Sequence, residues 1–427
     1  MVSLIRNYWL KLRLHGLSGA WLFLQLKFGE RRSRKFFTDN FNRHRNTQPE
    51  RGITFLGDFS STGSGGKVSR DFVLSLQDAG IPFQAAFRPP KECDPSGNHV
   101  DELLTSSKDF DLRKFSHVVE FYNGSIVPGM LANHARIVFW EFESGFLEFY
   151  PSFARPTTVI AMSDFNAAYF RRILPPTTPV VKVLYPFRPY AGELPSIADV
   201  RERYQIPVDS FVVFYNFDFG SSYHRKNPYG AIRAFAKAFS DKPNTMLVFK
   251  TMSAKRYPQR VAELEALTTE LGIADRFKMI SNYIPEADLY GLTNACDCYL
   301  SLHRGEGFGL GIAEAMSLAK PVVVTDYSAT TEFCNSENSI PVPFTMIPVR
   351  RDQIDNSAYN DVKEWADPDI DVAAKALQAL YQSPELRARL GSAAKAFIAD
   401  HFSTDNFRKS VDAFLAESSV SQPQSRS

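Results

Sequence analysis

The sequence predicts an α/β protein built from two facing, doubly wound domains. With 427 residues, the chain exceeds the length at which one hydrophobic core usually keeps growing. From residue 52 onward, apolar strand-like runs alternate with helical patterns, which is typical of a parallel sheet with helices on its faces. Residues 188–199 interrupt the alternation with prolines, a glycine and no apolar period, as in a linker. We therefore predict domains at residues 51–188 and 189–402.

The first predicted domain opens with a strand, GITFLG, at residues 52–57. A Gly/Ser-rich loop follows it, and SRDFVLSLQDAG at 69–80 is predicted as a helix that ends at Gly80. The other strands predicted for this domain are residues 116–122, 136–141, 158–163 and 180–186.

A second alternation of strands and helices follows the linker. Its predicted strands are residues 211–217, 245–251, 277–281, 297–303 and 321–325, and its predicted helices are 227–239, 261–272 and 310–318. Ligands of open parallel sheets bind outside the carboxyl ends of the strands, so the cleft between the domains is the expected active site. We also predict a C-terminal helix at 403–416 that crosses back to the first domain, and a disordered tail at 417–427.

Composition excludes several classes of protein. With 44% apolar and 22% charged residues, the chain is not disordered over most of its length. A formal net charge of +2 gives no reason to expect nucleic acid as a partner. Four cysteines without a C-x-x-C motif indicate neither a zinc site nor a disulfide scaffold, so a reducing, cytoplasmic compartment is expected.

Basic charge clusters only at the N-terminus, in the segment predicted at residues 1–50. Residues 1–35 contain eight Lys or Arg and one acid, Glu30, interspersed with aromatic and aliphatic side chains. The uncharged stretch at 16–26 is too short to cross a bilayer. Two interpretations stay open: an amphipathic helix on the anionic inner surface of the membrane, or a helix docked on its own domain.

The densest chemical signal lies at residues 301–328. An apolar strand there leads into a loop containing Gly305, Gly307, Gly309 and Gly311, and a helix follows. Glycines allow a ligand to approach the backbone, and the free N–H groups at a helix start attract an anion such as phosphate. Glu306 before the helix and Glu314 inside it can both face the cleft, where carboxylates accept hydrogen bonds from sugar hydroxyls.

The run EGFGLGIAEAM resembles the E-x7-E signature of the retaining family 4 glycosyltransferases (glycosyl transferases group 1). These enzymes have two Rossmann-like domains, the GT-B fold, and they include bacterial mannosyl- and glucosyltransferases of polysaccharide assembly. The resemblance implies that Glu306 touches the donor sugar and Glu314 holds the nucleotide ribose. It also implies that the amides of Phe308, Gly309 and Leu310 meet the diphosphate.

Two further segments resemble the same family. HRKNPYGAIRAFAKAF at 224–239 is similar to its R-K-N-P segment, which implies that Lys226 neutralises the diphosphate. The family commonly has an arginine where this chain has Gly220, and Arg225 or Arg304 is our expected substitute.

The loop DFSSTGSGGKVSRDF at 58–72 resembles the family's glycine loop that reaches the donor. The resemblance implies that Gly65 and Gly66 approach the donor. The loop is neither a phosphate-binding P-loop nor a dinucleotide fingerprint, because Ser61 and Val68 stand where those motifs need glycine or a hydroxyl.

Weaker candidates concern the acceptor and metals. Trp140 and Glu141 end a first-domain strand, where an acceptor role and simple packing of the aromatic ring are both open. Asp367 with Asp369, and Asp109 with Asp111, have the D-x-D spacing of metal-dependent glycosyltransferases. Asp367 and Asp369 precede a predicted helix and fit caps better, and the other pair lies in a polar loop, so we expect no metal and no cofactor.

Together the residues and the resemblance imply a metal-independent hexosyltransferase with Glu306 and Lys226 as its catalytic residues. The implied donor is a nucleotide-diphosphate sugar, with a GDP-mannose-like donor favoured and a UDP-sugar left open, and the acceptor is a saccharide or lipid-linked acceptor. The alternatives are an epimerase or a phosphorylase on the same fold, or a subunit that binds nucleotide sugars without catalysis.

Overall fold

The computed structural model describes residues 32, 34–61, 63–87, 100–121, 131, 133–146, 157–354 and 357–417. Nearly all of the basic segment 1–35 and of the predicted tail 417–427 lies outside these residues, as does Cys93. The predictions made for those segments therefore stay predictions.

The first domain is a parallel six-stranded sheet in the order β2-β1-β3-β4-β5-β6. Among the described residues, two helices of this domain cross the sheet, and a further helical segment at 34–43 packs Phe37 against its outer face. The elements are β1 Glu50–Gly57, α1 Ser64–Asp78, β2 Phe83–Phe87, β3 Phe115–Phe121, β4 His134–Val138, β5 Thr158–Ala161, α2 Asp164–Ile173 and β6 Val180–Lys182.

The second domain repeats the architecture, with a parallel sheet in the order β12-β11-β10-β7-β8-β9. Its strands are β7 Phe211–Asp218, β8 Thr245–Met252, β9 Phe277–Ile280, β10 Cys298–Ser301, β11 Val322–Thr325 and β12 Ile340–Val342. Its helices are α3 Ile197–Arg203, α4 Tyr223–Lys226, α5 Pro228–Ala238, α6 Pro258–Glu270, α7 Glu286–Ala295, α8 Leu310–Ser317, α9 Ile370–Gln382 and α10 Pro384–His401. The predicted fold class, two doubly wound Rossmann-like domains, is confirmed.

Helix α1 begins five residues before the predicted start at residue 69. Gly63 takes the N-cap position in an extended conformation, so Gly65 and Gly66 belong to the first turn of the helix. The preceding loop is folded onto this turn by Arg70, whose Nη1 donates to the carbonyls of Phe59 and Ser61 at 3.0 and 2.9 Å. A Cβ on Gly66 would lie 2.0 Å from the Ser61 carbonyl oxygen, so this position requires glycine.

An antiparallel hairpin, which the sequence did not predict, leaves the second domain after β12. It consists of β13 Phe344–Pro348 and β14 Glu364–Pro368, and we call the described residues 344–354 and 357–368 the hairpin arm. Apolar side chains of the arm join a core cluster whose other members belong to the first domain; they are Ile347, Val349, Tyr359, Val362 and Trp365. The arm therefore connects the two domains.

The C-terminal helix α11, Thr404–Glu417, lies on the first domain. Its Phe407 ring packs edge-on against Phe72 at 5.7 Å, and its Ser410 Oγ accepts from the Leu184 amide at 3.1 Å. The chain thus passes from the first domain to the second and returns.

Within the described residues, no helix is long and apolar enough to cross a membrane. Cys296, Cys298 and Cys334 are buried free thiols, and burial raises the pKa of each.

Candidate active site

The glycine-rich loop after β10 presses directly against the first domain. A Cβ on Gly305 would lie 2.5 Å from the carbonyl oxygen of Glu141, and one on Gly307 would lie 3.1 Å from the Phe139 Cβ. A larger residue at position 305 would push the domains apart, because the neighbour there is backbone. These glycines therefore allow the loop to lie against the first domain.

The end of this loop sets the start of helix α8. Gly309 has a φ of +97°, a conformation that only glycine adopts easily, and Leu310 is the first helical residue. The Phe308 ring stacks on Tyr185 of the first domain at 3.6 Å, so its side chain packs in the domain interface. At Phe308 the backbone, and not the ring, is therefore left to meet a ligand.

Glu306 lies between two cations. Lys226 Nζ donates to Glu306 Oε1, and Arg225 Nη1 lies 3.3 Å from Glu306 Oε2. Burial alone would raise the pKa of Glu306, but the charges of Lys226 and Arg225 outweigh it and lower the pKa to about 2. The Glu306 amide donates to Ser328 Oγ at 2.8 Å, which fixes the loop from below.

Arg225 is almost fully buried, and its guanidinium has several protein partners. It donates to the Gly305 carbonyl at 2.8 Å and to the carbonyl and hydroxyl oxygens of Ser221, both at 2.9 Å. Glu141 of the first domain lies 3.8 Å from its Nη2. Arg225 thus holds the loop, Glu306 and a first-domain carboxylate in one cluster.

Arg304 has a different environment. Its Nε and Nη2 donate to Asp367 Oδ1 at 3.1 and 2.7 Å, and its Nη1 donates to the His224 carbonyl at 3.2 Å. The two bonds to Asp367 engage its guanidinium with the hairpin arm. Of the two arginines predicted to replace the one missing at Gly220, Arg225 is the one that lies beside Glu306.

Glu314 lies one turn inside α8, where it is buried. The Tyr290 hydroxyl donates to Glu314 Oε1 at 2.8 Å. Burial raises the pKa of Glu314 to about 7, and the charge of Lys67 opposes the rise. The carboxyl group is therefore protonated in part of the population near neutral pH.

Lys67 is the first-domain residue whose charge acts on Glu314. It follows Gly65 and Gly66 in the first turn of α1, and its Nζ lies 3.0 Å from Asp71 Oδ2. Burial raises the pKa of Asp71 to about 6 against the effect of Lys67. A Cβ on Gly65 would meet only the Phe121 ring at 3.7 Å, so this glycine is not required for packing.

Trp140 and Glu141 differ although they are neighbours. The Trp140 ring is buried among Phe142, Phe146 and Tyr359, and its Nε1 donates to the Ser144 carbonyl at 3.0 Å. Packing, one of the two interpretations left open, describes this side chain. The Glu141 carboxylate instead faces Arg225 in the cleft.

The aspartates with D-x-D spacing have other partners. Asp369 caps α9, as predicted, by accepting from the amides of Asp371 and Val372 at 2.8 and 3.0 Å. Asp109 accepts from Ser106 Oγ at 2.7 Å, and Asp111 accepts from the Arg113 amide at 2.8 Å. In the part of the chain that the structure describes, no three His, Cys, Asp or Glu side chains converge as metal ligands.

Several residues of the cleft were not found from the sequence. Tyr290 and Ser328 contact the two glutamates of the motif, Lys67 reaches towards Glu314, and Tyr359 lies beside Glu141. His303 is fully buried, and burial lowers its pKa to about 4. Only Lys67 had a local signal, because it directly follows the glycine loop.

Comparison with known proteins finds a family similarity in the second domain. Residues 198–397 match the family model "Glycosyl transferases group 1". A 71-residue segment is 37% identical to the lipopolysaccharide core biosynthesis mannosyltransferase LpsB of Rhizobium meliloti (strain 1021). That segment is 17% of this chain and spans only 19% of LpsB.

Two solved structures share the fold across most of the chain. A glycosyltransferase from Rickettsia africae ESF-5 superposes with a TM-score of 0.61 at 13% identity, covering 88% of this chain and all of the other. Anabaena HepE, solved in complex with UDP-glucose, gives a TM-score of 0.60 at 14% identity, covering 86% of this chain and all of HepE. At such identities the likeness concerns the fold. The chain therefore has the two-domain GT-B fold, and its residues 198–397 are similar to the glycosyl transferases group 1 family.

Proposed function

We propose that this chain transfers a hexose from a nucleotide-diphosphate sugar to a saccharide or lipid-linked acceptor, with retention of anomeric configuration. The observation that carries the proposal is the meeting of Lys226, Arg225 and Glu306 at the mouth of α8, with Glu314 one turn inside. Surface polysaccharide assembly is the process we favour.

Charge explains why such a cluster suits this reaction. Breaking a sugar–phosphate bond develops negative charge on the departing diphosphate, and preorganised cations and amides stabilise that charge. Lys226 and the amides of residues 308–310 are the groups we assign to it. Glu306, held ionised by its two cationic neighbours, is then placed to accept hydrogen bonds from the donor sugar.

The second glutamate is assigned to the nucleoside. Glu314 is buried with Tyr290 as its hydrogen-bond donor, so one carboxyl oxygen is fixed and the other can accept from a ribose hydroxyl. Lys67, with Gly65 and Gly66, would close over the donor from the first domain. Glu141 would face the acceptor.

For the donor we favour GDP-mannose over UDP-sugars, although HepE was solved with UDP-glucose. The local similarity to the mannosyltransferase LpsB supports this choice. A thermal-shift screen of GDP-, UDP- and ADP-sugars tests it, because a ligand that binds the folded state raises the melting temperature. An epimerase would convert the donor without releasing nucleotide, and a phosphorylase would need phosphate and no nucleotide.

We expect nucleotide release from the donor to continue in EDTA. The charge that develops on the diphosphate is assigned to Lys226 and the α8 amides, and the aspartates with D-x-D spacing are engaged elsewhere. The measurement is the rate of nucleoside diphosphate release with and without chelator. Loss of the rate in EDTA and its recovery with Mg²⁺ or Mn²⁺ would contradict a metal-independent mechanism.

We further propose that the basic segment 1–35 places the enzyme on the inner surface of the membrane. Each Lys or Arg near an anionic surface contributes about 1 kcal/mol. Deleting residues 1–35 is expected to abolish co-sedimentation with phosphatidylserine-containing vesicles and to leave donor hydrolysis unchanged. Vesicle binding that survives the deletion would contradict this proposal, and loss of the fold would favour docking on the protein itself.

A further inference from the structure

We propose that Tyr359, carried to the cleft by the hairpin arm, is a positioning residue that holds the Glu141 carboxylate beside Arg225. The inference rests on the proposed function, because it places Glu141 on the reacting side of the cleft. It concerns a residue that neither the E-x7-E motif nor the R-K-N-P segment contains.

The base of the arm is fixed to the second domain by Arg304. The Arg304 guanidinium binds Asp367 and lies 5.1 Å from the centre of the Trp365 ring. The Arg304 backbone carbonyl accepts from the Ala366 amide at 3.3 Å. Arg304 directly precedes Gly305. The arm is therefore anchored to the same loop that carries Glu306.

The far part of the arm packs on the first domain. The Lys363 amide donates to Ser144 Oγ at 2.9 Å. Val362 fills the space beside Gly145, where a Cβ would lie 2.9 Å from its Cγ2. The Tyr359 ring lies 5.5 Å from Trp140 and 5.2 Å from Phe142. Rings on either side of Glu141 in the sequence thus hold the tyrosine in place.

This packing directs the Tyr359 hydroxyl to the charged cluster. The hydroxyl is close enough to Glu141, Arg225 and Glu306 for these side chains to act on it, and we assign Glu141 as its hydrogen-bond acceptor. Burial and the two carboxylates raise the pKa of Tyr359, so the hydroxyl keeps its proton. A protonated hydroxyl donates to Glu141 and leaves the remaining carboxylate lone pairs free for a substrate hydroxyl.

Glu141 needs such a partner because its contact with Arg225 is long. At 3.8 Å, that contact contributes charge attraction but no hydrogen bond. Among the described residues, Arg225 is the only cation within 4.0 Å of Glu141. A hydrogen bond from Tyr359 restricts the carboxylate to one orientation once the two domains meet.

Tyr359→Phe tests the inference, because it removes the hydroxyl and keeps the ring between Trp140 and Phe142. The assay is release of nucleoside diphosphate from GDP-mannose and UDP-glucose in water. A hydrogen bond to a charged group is strong enough that its loss should lower kcat by about 10-fold. KM for the donor should change less than about twofold, and the melting temperature should stay the same, because ring packing is kept.

Tyr204→Phe is the matched control. It removes a hydroxyl that donates to Asp288 Oδ2 at 2.8 Å, away from the cluster, and should leave kcat unchanged. The double variant Tyr359→Phe/Glu141→Gln should be no slower than Glu141→Gln alone, because the tyrosine acts through the carboxylate.

Each outcome either supports or overturns the positioning role of Tyr359. A normal kcat in Tyr359→Phe, with or without a lower melting temperature, overturns the positioning role and leaves the proposed function standing. Fully multiplicative losses in the double variant overturn it as well. A wild-type protein that releases no nucleotide from either donor defeats the proposed function and this inference together.

Discussion

Replacing Lys226 with alanine is expected to lower turnover by about 10²–10³-fold, as losing a transition-state charge partner does in other enzymes. Lys226 is the cation assigned to the departing diphosphate, and it is preorganised by its bond to Glu306. The measurement is single-turnover nucleotide release at saturating donor. Lys226→Arg, which keeps the charge with a different shape, should retain part of the activity.

The alanine variant also leaves Glu306 buried with Arg225 as its remaining neighbouring cation, which destabilises the fold. The double variant Lys226→Ala/Glu306→Gln removes that buried charge and should regain stability without regaining activity. If the double variant is as active as Glu306→Gln alone, Lys226 serves only to neutralise the glutamate, and the diphosphate assignment is wrong.

Glu314→Gln is expected to weaken nucleotide binding and, at alkaline pH, to stabilise the protein. The amide retains an acceptor for Tyr290 but carries no charge to hold a ribose hydroxyl. Losing a hydrogen bond to a charged group costs about 1.5–3 kcal/mol, so Kd should rise by about 10- to 100-fold. Isothermal titration with GDP and UDP measures this change.

The stability effect follows from the raised pKa of Glu314. The folded protein binds this proton more tightly than the unfolded chain, because the pKa is about 7 in the fold and 4.5 as its ordinary value. The stabilisation that comes from this bound proton is fully present below pH 4.5 and is lost as the pH rises through 7. At about 1.4 kcal/mol per pKa unit, ionising Glu314 costs up to about 3 kcal/mol.

Urea denaturation at pH 5 and at pH 8.5 compares the wild type with Glu314→Gln. We expect the variant to gain stability relative to the wild type only at the higher pH. Glu270→Gln, an exposed carboxylate at the end of α6, is the control that should change neither stability nor binding. An equal effect of Glu314→Gln at both pH values would show that ionisation of Glu314 does not limit stability.

The sequence predicted those parts of the site that depend on local pattern. The strand, loop and helix around Glu306 and Glu314 form as expected, because glycines and a following apolar helix leave the chain few other conformations. Lys226 and Glu306, named separately and 80 residues apart, form an ion pair. Parallel strands β7 and β10 are neighbours in the sheet, so the segments after them meet at its carboxyl edge.

The parts of the structure that the sequence did not predict depend on tertiary contacts. The first turn of α1 contains Gly65 and Gly66, which favour a loop by propensity and become helical because the Ser61 segment folds over them. Helix α7, which is not among the predicted helices, contains Gly291, and the missing side chain there makes room for Pro195. The strands of the hairpin arm carry prolines and pair across a long connection, and their apolar partners belong to the other domain. Tyr359 therefore had no local signal.

The central claim is that this chain transfers a sugar from a nucleotide-diphosphate donor with retention, using the cluster around Glu306. Proton NMR of the wild type with an α-linked donor such as GDP-mannose tests it most directly, by following nucleotide release and the anomeric form of the first product. The account predicts free nucleoside diphosphate together with an α-linked or α-anomeric product, and loss of both signals in Lys226→Ala. A donor that binds but stays intact, or a product that first appears as the β-anomer, would contradict it.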